Sequence, residues 1–149
     1  IAKRVHELVK PFAVNVFVYD PFLKQTHFDN ITLCKDLSDG LIEADIISIH
    51  TSSTEEIFGL KEFELMKQNV YILNSARAEV INEELLETYL NNNKIAGAWL
   101  DVFWNEPYKG SLTEHNNVIL TPHIGSYSYE GRSMMELTAV KNLINHFKI

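Results

Sequence analysis

Three side chains in this sequence have types and spacings that can do chemistry. Glu106 and His123 each stand beside a proline, in N-E-P and T-P-H, and each follows an apolar run that reads as a buried strand. A histidine titrates near pH ~6.5, and a neighbouring carboxylate favours its charged form and fixes which ring nitrogen carries the proton. Such a pair is a general acid/base. Arg77 lies just past the run V-Y-I-L at residues 70–73. There its guanidinium can grip a carboxylate with a bidentate fork and polarise an adjacent carbonyl, which lysine cannot do with the same geometry. The plain alternatives are a solvated loop carboxylate, a hydrogen-bonded loop histidine, and a surface arginine paired with Glu79 or Glu83.

The elements that must position these residues alternate in type. Val5, Leu8, Val9 and Phe12 repeat at helical spacing, and β-branched, aromatic residues 14–19 then read as a strand ending at Asp20-Pro21. Residues 22–33 read as a connection with one short element. Residues 35–44 predict a short helix, and D-I-I-S-I-H at 45–50 a continuous buried strand. Leu60, Phe63 and Met66 line another helix before a strand at 69–74. A helix after Asn82 uses Leu85, Leu86, Tyr89 and Leu90, and a strand follows at 95–101, with Gly97 expected to pack closely against a helix. Residues 108–117 read as loop, 118–120 as a last strand and 127–147 as the longest helix, with Leu137, Val140, Leu143, Ile144 and Phe147 on its apolar face. Met134 and Met135 would pack in the core, the first expectation, or in a subunit interface. Strands alternating with helices imply right-handed βαβ units, hence a doubly wound parallel sheet in a three-layer α/β/α, Rossmann-like fold. Pro107 and Pro122 then favour extended backbone where strands give way to loops at the carboxyl edge, the place for chemistry in such sheets.

Composition narrows the class. The chain has 149 residues, 46% hydrophobic and 22% charged, as expected for one globular domain with a proper core. A net charge of −7 without a Lys/Arg stripe disfavours nucleic acid and anionic membrane surfaces as partners. No apolar run approaches the roughly 18 residues that span a bilayer. Cys34 is the only cysteine, so an intrachain disulfide or a cysteine-rich metal site is excluded, which fits a cytoplasmic location. No metal site is expected. His6, His27, His115 and His146 lack partners at ligand spacing and read as surface or satisfied residues. The chain opens inside its pattern, with I-A-K-R-V and no initiator methionine, which predicts a fragment.

N-S-A-R at residues 74–77, D-V-F-W-N-E-P at 101–107 and T-P-H-I-G-S at 121–126 together resemble, in order and interval, the signatures of the D-isomer-specific 2-hydroxyacid dehydrogenases. The resemblance covers nearly all of the chain and implies that residues 1–149 are an NAD-binding domain. It lacks the first strand and most of the glycine-rich loop, with Ala2 at the position of that loop's third glycine and the substrate domain absent. The implied activity is NAD-dependent interconversion of a D-2-hydroxy acid and its 2-oxo acid. By resemblance, Arg77 anchors the substrate carboxylate, His123 exchanges the proton and Glu106 holds His123 protonated and oriented. The implied cofactor contacts are Asp20, His50, Thr51, Ser75, Ala76, Arg77, Asp101, His123 and Gly125. Asp20 would accept from the adenosine ribose hydroxyls and repel a 2′-phosphate, favouring NAD over NADP; an Asp-Pro turn is its alternative. Asp101 would meet the nicotinamide carboxamide or, alternatively, cap local backbone.

Two departures from the family pattern stand out: a shortened loop after His50-Thr51, and Ala78 where the family commonly has glycine, which a positive φ would strain. Trp104 would wall the substrate pocket or pack a subunit interface. A homodimer is expected, and the alternative function is a non-catalytic NAD(H)-sensing dimerisation module resembling the C-terminal-binding corepressors. Because the first two fingerprint glycines are missing, the 149-residue chain by itself should bind NADH weakly. Tight, saturable binding in a fluorescence titration would contradict this.

Overall fold

The computed structural model of the chain describes residues 1–25 and 29–148. The elements run α1 (Ala2–Val9), β1 (Val16–Val18), β2 (Ile31–Leu33), α2 (Leu37–Leu41), β3 (Ile46–Ile49), α3 (Leu60–Leu65), β4 (Val70–Asn74), α4 (Glu83–Asn91), β5 (Ile95–Leu100), β6 (Val118–Leu120) and α5 (Tyr129–Phe147). Short 3-10 turns occupy Lys10–Phe12, Ala78–Val80 and Ser111–Glu114. This is the expected α/β, Rossmann-like alternation with every strand pair parallel. The strands form two sheets, one of β1 and β2 and one in the order β3-β4-β5-β6.

Local chemistry explains the punctuation. Asn30, Asn69 and Asn93 take left-handed backbone, at φ of 61°, 64° and 60°, just before β2, β4 and β5. Asparagine tolerates that conformation better than most residues, so it turns the chain into each strand. Asn82 caps α4 by accepting from the Leu85 N–H at 3.1 Å, and Glu83 and Glu84 place negative charge in the first turn. Ser128 caps α5 in the same way through the Gly131 N–H.

The core lies on one face of the four-stranded sheet. Ile47, Ile49, Val70, Ile72, Ile95, Ala98 and Leu100 from the strands meet Phe63 of α3, Leu86 and Leu90 of α4, Val80, Ile81 and Leu112. Phe63 stacks on Tyr89 with ring centroids 5.1 Å apart.

Several expectations are corrected. Segment 45–50 is not buried throughout, because alternate side chains cross the pleat: Ile47 and Ile49 are buried while Ile46 is 62% exposed, with Tyr71 and Ile119 also exposed on that second face. The one short element expected within 22–33 is the strand β2, three residues paired to β1. His27 lies outside the described residues. In α1 the buried residue is His6, while Leu8 and Phe12 of the predicted face are exposed. Met134 and Met135 are exposed, and α5 buries no residue in this chain. The 108–117 segment is not all loop, since its 3-10 turn inserts Leu112 into the core.

Gly97 is indeed a close-packing position, but its neighbours are the adjacent strands. A Cβ there would sit 2.7 Å from the Asn117 carbonyl oxygen and 3.2 Å from the Tyr71 ring. The carbonyl belongs to the backbone that leads into β6 and cannot swing away. Gly97→Ala should therefore lower stability by about 1–3 kcal/mol, read as a reduced urea midpoint; an unchanged midpoint would refute this packing account.

Candidate active site

Parallel register brings the expected residues to one edge. Ile49 pairs with Asn74, Asn74 with Leu100 and Leu100 with Leu120. Consequently His50, Ser75, Asp101 and Thr121 begin the four loops that leave the carboxyl ends of β3 to β6.

Asp101 is the hub of that edge. Its side chain is 2% exposed. Oδ1 accepts from the Thr121 hydroxyl at 2.6 Å and the Ile124 N–H at 2.9 Å, while Oδ2 accepts from the Gly125 N–H at 2.8 Å. Burial pushes the carboxyl pKa up, but these three donors and the nearby His123 outweigh burial and leave it below its ordinary 3.8. Trp99 extends the network by donating Nε1–H to the Thr121 hydroxyl at 3.2 Å. The His123 N–H closes a tight turn onto the Thr121 carbonyl at 2.8 Å, and His123 itself takes left-handed backbone at φ 52°. Successive N–H groups after such a residue form an anion-binding nest, here filled by the protein's own carboxylate. A Cβ at Gly125 would stand 3.0 Å from Asp101 Oδ2, so glycine lets the backbone come this close.

This loop presents His123 to Glu106, with Nδ1 2.9 Å from Oε1. A carboxylate at that distance accepts, so Nδ1 carries the proton and Nε2 is the nitrogen left for a ligand. Both side chains are open to solvent, 51% exposed for His123 and 43% for Glu106.

Arg77 stands at the end of β4 in a turn built by buried Asn74. Asn74 Oδ1 accepts from the Ala76 N–H at 3.0 Å and its Nδ2 donates to the Arg77 carbonyl at 2.8 Å. The guanidinium donates to the Ala76 carbonyl at 2.6 Å. Among the described residues no carboxylate pairs with it, so the surface pairing with Glu79 or Glu83 is not what the structure shows. Ala78 lies in a 3-10 turn and is not among the residues with positive φ, so it carries no backbone strain.

The other expected contacts are more dispersed. His50 is half-buried with Nε2 2.9 Å from Ser48 Oγ; burial and then repulsion by the chain's α-amino group lower its pKa. Thr51 Oγ1 accepts from the Ser53 N–H, and Ser75 and Ala76 lie in the Asn74 turn. Asp20, just past β1 in the other sheet, is exposed and accepts the Phe22 N–H at 2.9 Å, forming the Asp-Pro turn. Trp104 packs within its own chain: its Nε1–H donates to the Ile81 carbonyl at 3.0 Å and its ring lies against the core. The motif stretches contain Asn74 and Thr121, whose positioning roles emerge only from the hydrogen bonds.

A parallel α/β domain with a hydrogen-bonded His–Glu pair and an exposed arginine at its carboxyl edge is of the dinucleotide-binding fold class. Residues 1–125 match the family described as D-isomer specific 2-hydroxyacid dehydrogenase, NAD binding domain, and the chain belongs to that family. It is 44% identical over 108 residues to a glyoxylate reductase of Thermococcus litoralis, covering 70% of this chain and 33% of that protein. It is 39% identical over 138 residues to a D-3-phosphoglycerate dehydrogenase of Synechocystis, covering 89% and 25%. The D-isomer specific 2-hydroxyacid dehydrogenase of Lactobacillus delbrueckii ssp. bulgaricus, solved in an NAD-complexed form, superposes with a TM-score of 0.80 at 29% identity over 97% of this chain and 49% of that one. The chain thus spans a quarter to a third of the length of these two curated relatives. Among the described residues no helix is long and apolar enough to cross a membrane.

The Asp101 network yields a signed pH prediction. Asp101→Asn replaces one acceptor oxygen with an NH2 group, sets donor against donor, and should cost about 1–3 kcal/mol at pH 7. Because the folded carboxyl pKa lies below 3.8, its stabilisation is present above that value and is lost as pH falls through the folded one. The gap between wild type and Asp101→Asn in thermal melts should therefore close below pH 3.8; a constant gap would refute the charge-based account.

Proposed function

We propose that the chain is the NAD-binding part of an oxidoreductase that interconverts a D-2-hydroxy acid and its 2-oxo acid. The observation that carries this reading is the Nδ1–Oε1 contact of His123 and Glu106 at 2.9 Å, on the sheet edge that also bears Arg77.

The residues present fit the cofactor. Asp101 Oδ2 has one protein donor and keeps acceptor capacity toward an amide N–H, within a cradle that a Cβ at Gly125 would crowd. Asp20 would offer its second carboxylate oxygen to a sugar hydroxyl, and His50, Thr51, Ser75 and Ala76 would supply the remaining contacts to the cofactor. Nicotinamide, when bound, supplies hydride to the substrate carbon or accepts it. Arg77 binds the substrate carboxylate and orients the neighbouring carbonyl. His123 gives the Nε2 proton to the carbonyl oxygen during reduction and takes it back from the hydroxyl during oxidation. Glu106 keeps the Nδ1 proton in place, so the ring reacts only through Nε2. The two relatives named above are a reductase and a dehydrogenase, which supports this reading; neither is a corepressor.

The same proposal includes a homodimer, as the family resemblance implies, and a cytoplasmic location consistent with the free Cys34. Sedimentation of the intact protein tests the dimer.

The decisive assay is NADH oxidation by the intact protein at 340 nm with a panel of 2-oxo acids that includes glyoxylate. Turnover is expected, and His123→Ala should reduce kcat by roughly 10²–10⁴, with Arg77→Ala acting chiefly on KM for the acid. No turnover with any acid, despite NADH binding, would overturn the catalytic reading.

A further inference from the structure

Glu106 and His123 are both about half exposed. A hydrogen bond between two exposed side chains returns little more than the cost of ordering them. Their 2.9 Å separation must therefore be set by the backbone on each side. On the His123 side the Asp101 network does this. On the Glu106 side the anchors lie two residues before and two after.

Trp104, before it, donates its indole N–H to the Ile81 carbonyl at 3.0 Å. Tyr108, after it, donates its hydroxyl to Glu83 Oε1 at 2.8 Å. Ile81 and Glu83 flank Asn82, the N-cap of α4, so both anchors grip one shoulder. The Phe103 ring stacks on Tyr108 at 4.9 Å and 23°. A Cβ at Gly110 would collide with the Tyr108 ring and hydroxyl, so glycine leaves the phenol its space. Burial and then Glu83 push the Tyr108 pKa up to about 12, so the donating O–H stays protonated throughout the neutral range. The shoulder continues backwards through the buried residues Ile81, Val80 and Ala78 to Arg77.

We infer that Tyr108, locked to Glu83, is a positioning residue that sets the reach of Glu106 to His123 and ties that pair to the element carrying Arg77. This rests on the site reading above, but only its kinetic test depends on turnover.

Tyr108→Phe keeps the ring and its stack and removes one hydroxyl. Glu83→Ala removes the acceptor, whereas Glu83→Gln retains a carbonyl oxygen at the same reach. In the intact protein, Tyr108→Phe and Glu83→Ala should each lower kcat about tenfold, with little change in KM for the 2-oxo acid. The double variant should be no worse than either single one, and Glu83→Gln should restore most of the loss. In ring 15N spectra, His123 should show its proton at Nδ1 in the wild type and a mixture of tautomers in Tyr108→Phe, as in Glu106→Gln. Unchanged kcat, or losses that add in the double variant and follow only the melting temperature, would overturn the inference, as would an unaltered His123 spectrum. If the wild type turns over no acid yet Tyr108→Phe still alters that spectrum, the dehydrogenase reading falls and the positioning role stands.

Discussion

A carboxylate at 2% exposure persists there because three donors meet it, and the rest of the candidate site depends on that arrangement. Unpaired, a buried Asp101 would be costly; hydrogen-bonded on both oxygens, it becomes the rivet between β5 and the loop after β6. Its own N–H donates to the Asn74 carbonyl, so the rivet also reaches β4, where the Asn74 side chain shapes the turn bearing Arg77. The left-handed backbone at His123 is sustained within this frame and not by any preference of histidine.

The molecule thus divides its labour between a buried polar and apolar interior and a solvent-facing rim. Parallel register aligns four strand ends. Buried polar side chains then convert that alignment into loop shape: Asn74 for one loop, Asp101 and Thr121 for another, and the α4 shoulder for the loop between β5 and β6. Precision at exposed groups is inherited from buried ones, as a site placed on rigid elements requires. None of the three principal candidates, Arg77, Glu106 and His123, is itself buried.

Much of this was legible in the sequence, because periodicity and motif spacing report on backbone path. Alternating strands and helices and the three motifs place Arg77, Glu106 and His123 at one edge. What escaped was whatever depends on packing partners. A three-residue strand such as β2 is too short for period-two patterning to give its type. Periodicity states that α1 and α5 have an apolar face and not what covers it, and Leu8, Leu137 and Val140 stay exposed. Gly97 signalled close approach, but whether a helix or a neighbouring strand does the approaching is a three-dimensional fact. The positioning roles of Thr121, Trp99 and Tyr108 join residues roughly 20 to 25 positions apart, beyond the reach of local pattern.

The open setting of the His123–Glu106 pair has an electrical consequence. Coulomb coupling varies inversely with the surrounding dielectric, so replacing water of permittivity ~80 with a protein-like ~20 strengthens it about fourfold. In the chain as described, mobile ions can approach the pair and screen it over the Debye length of ~8 Å at physiological ionic strength. Any surface that closes over this rim and expels water would tighten the pair without moving either residue. The domain therefore holds the His123–Glu106 pair in a weakly coupled state whose strength is set by how wet the rim is.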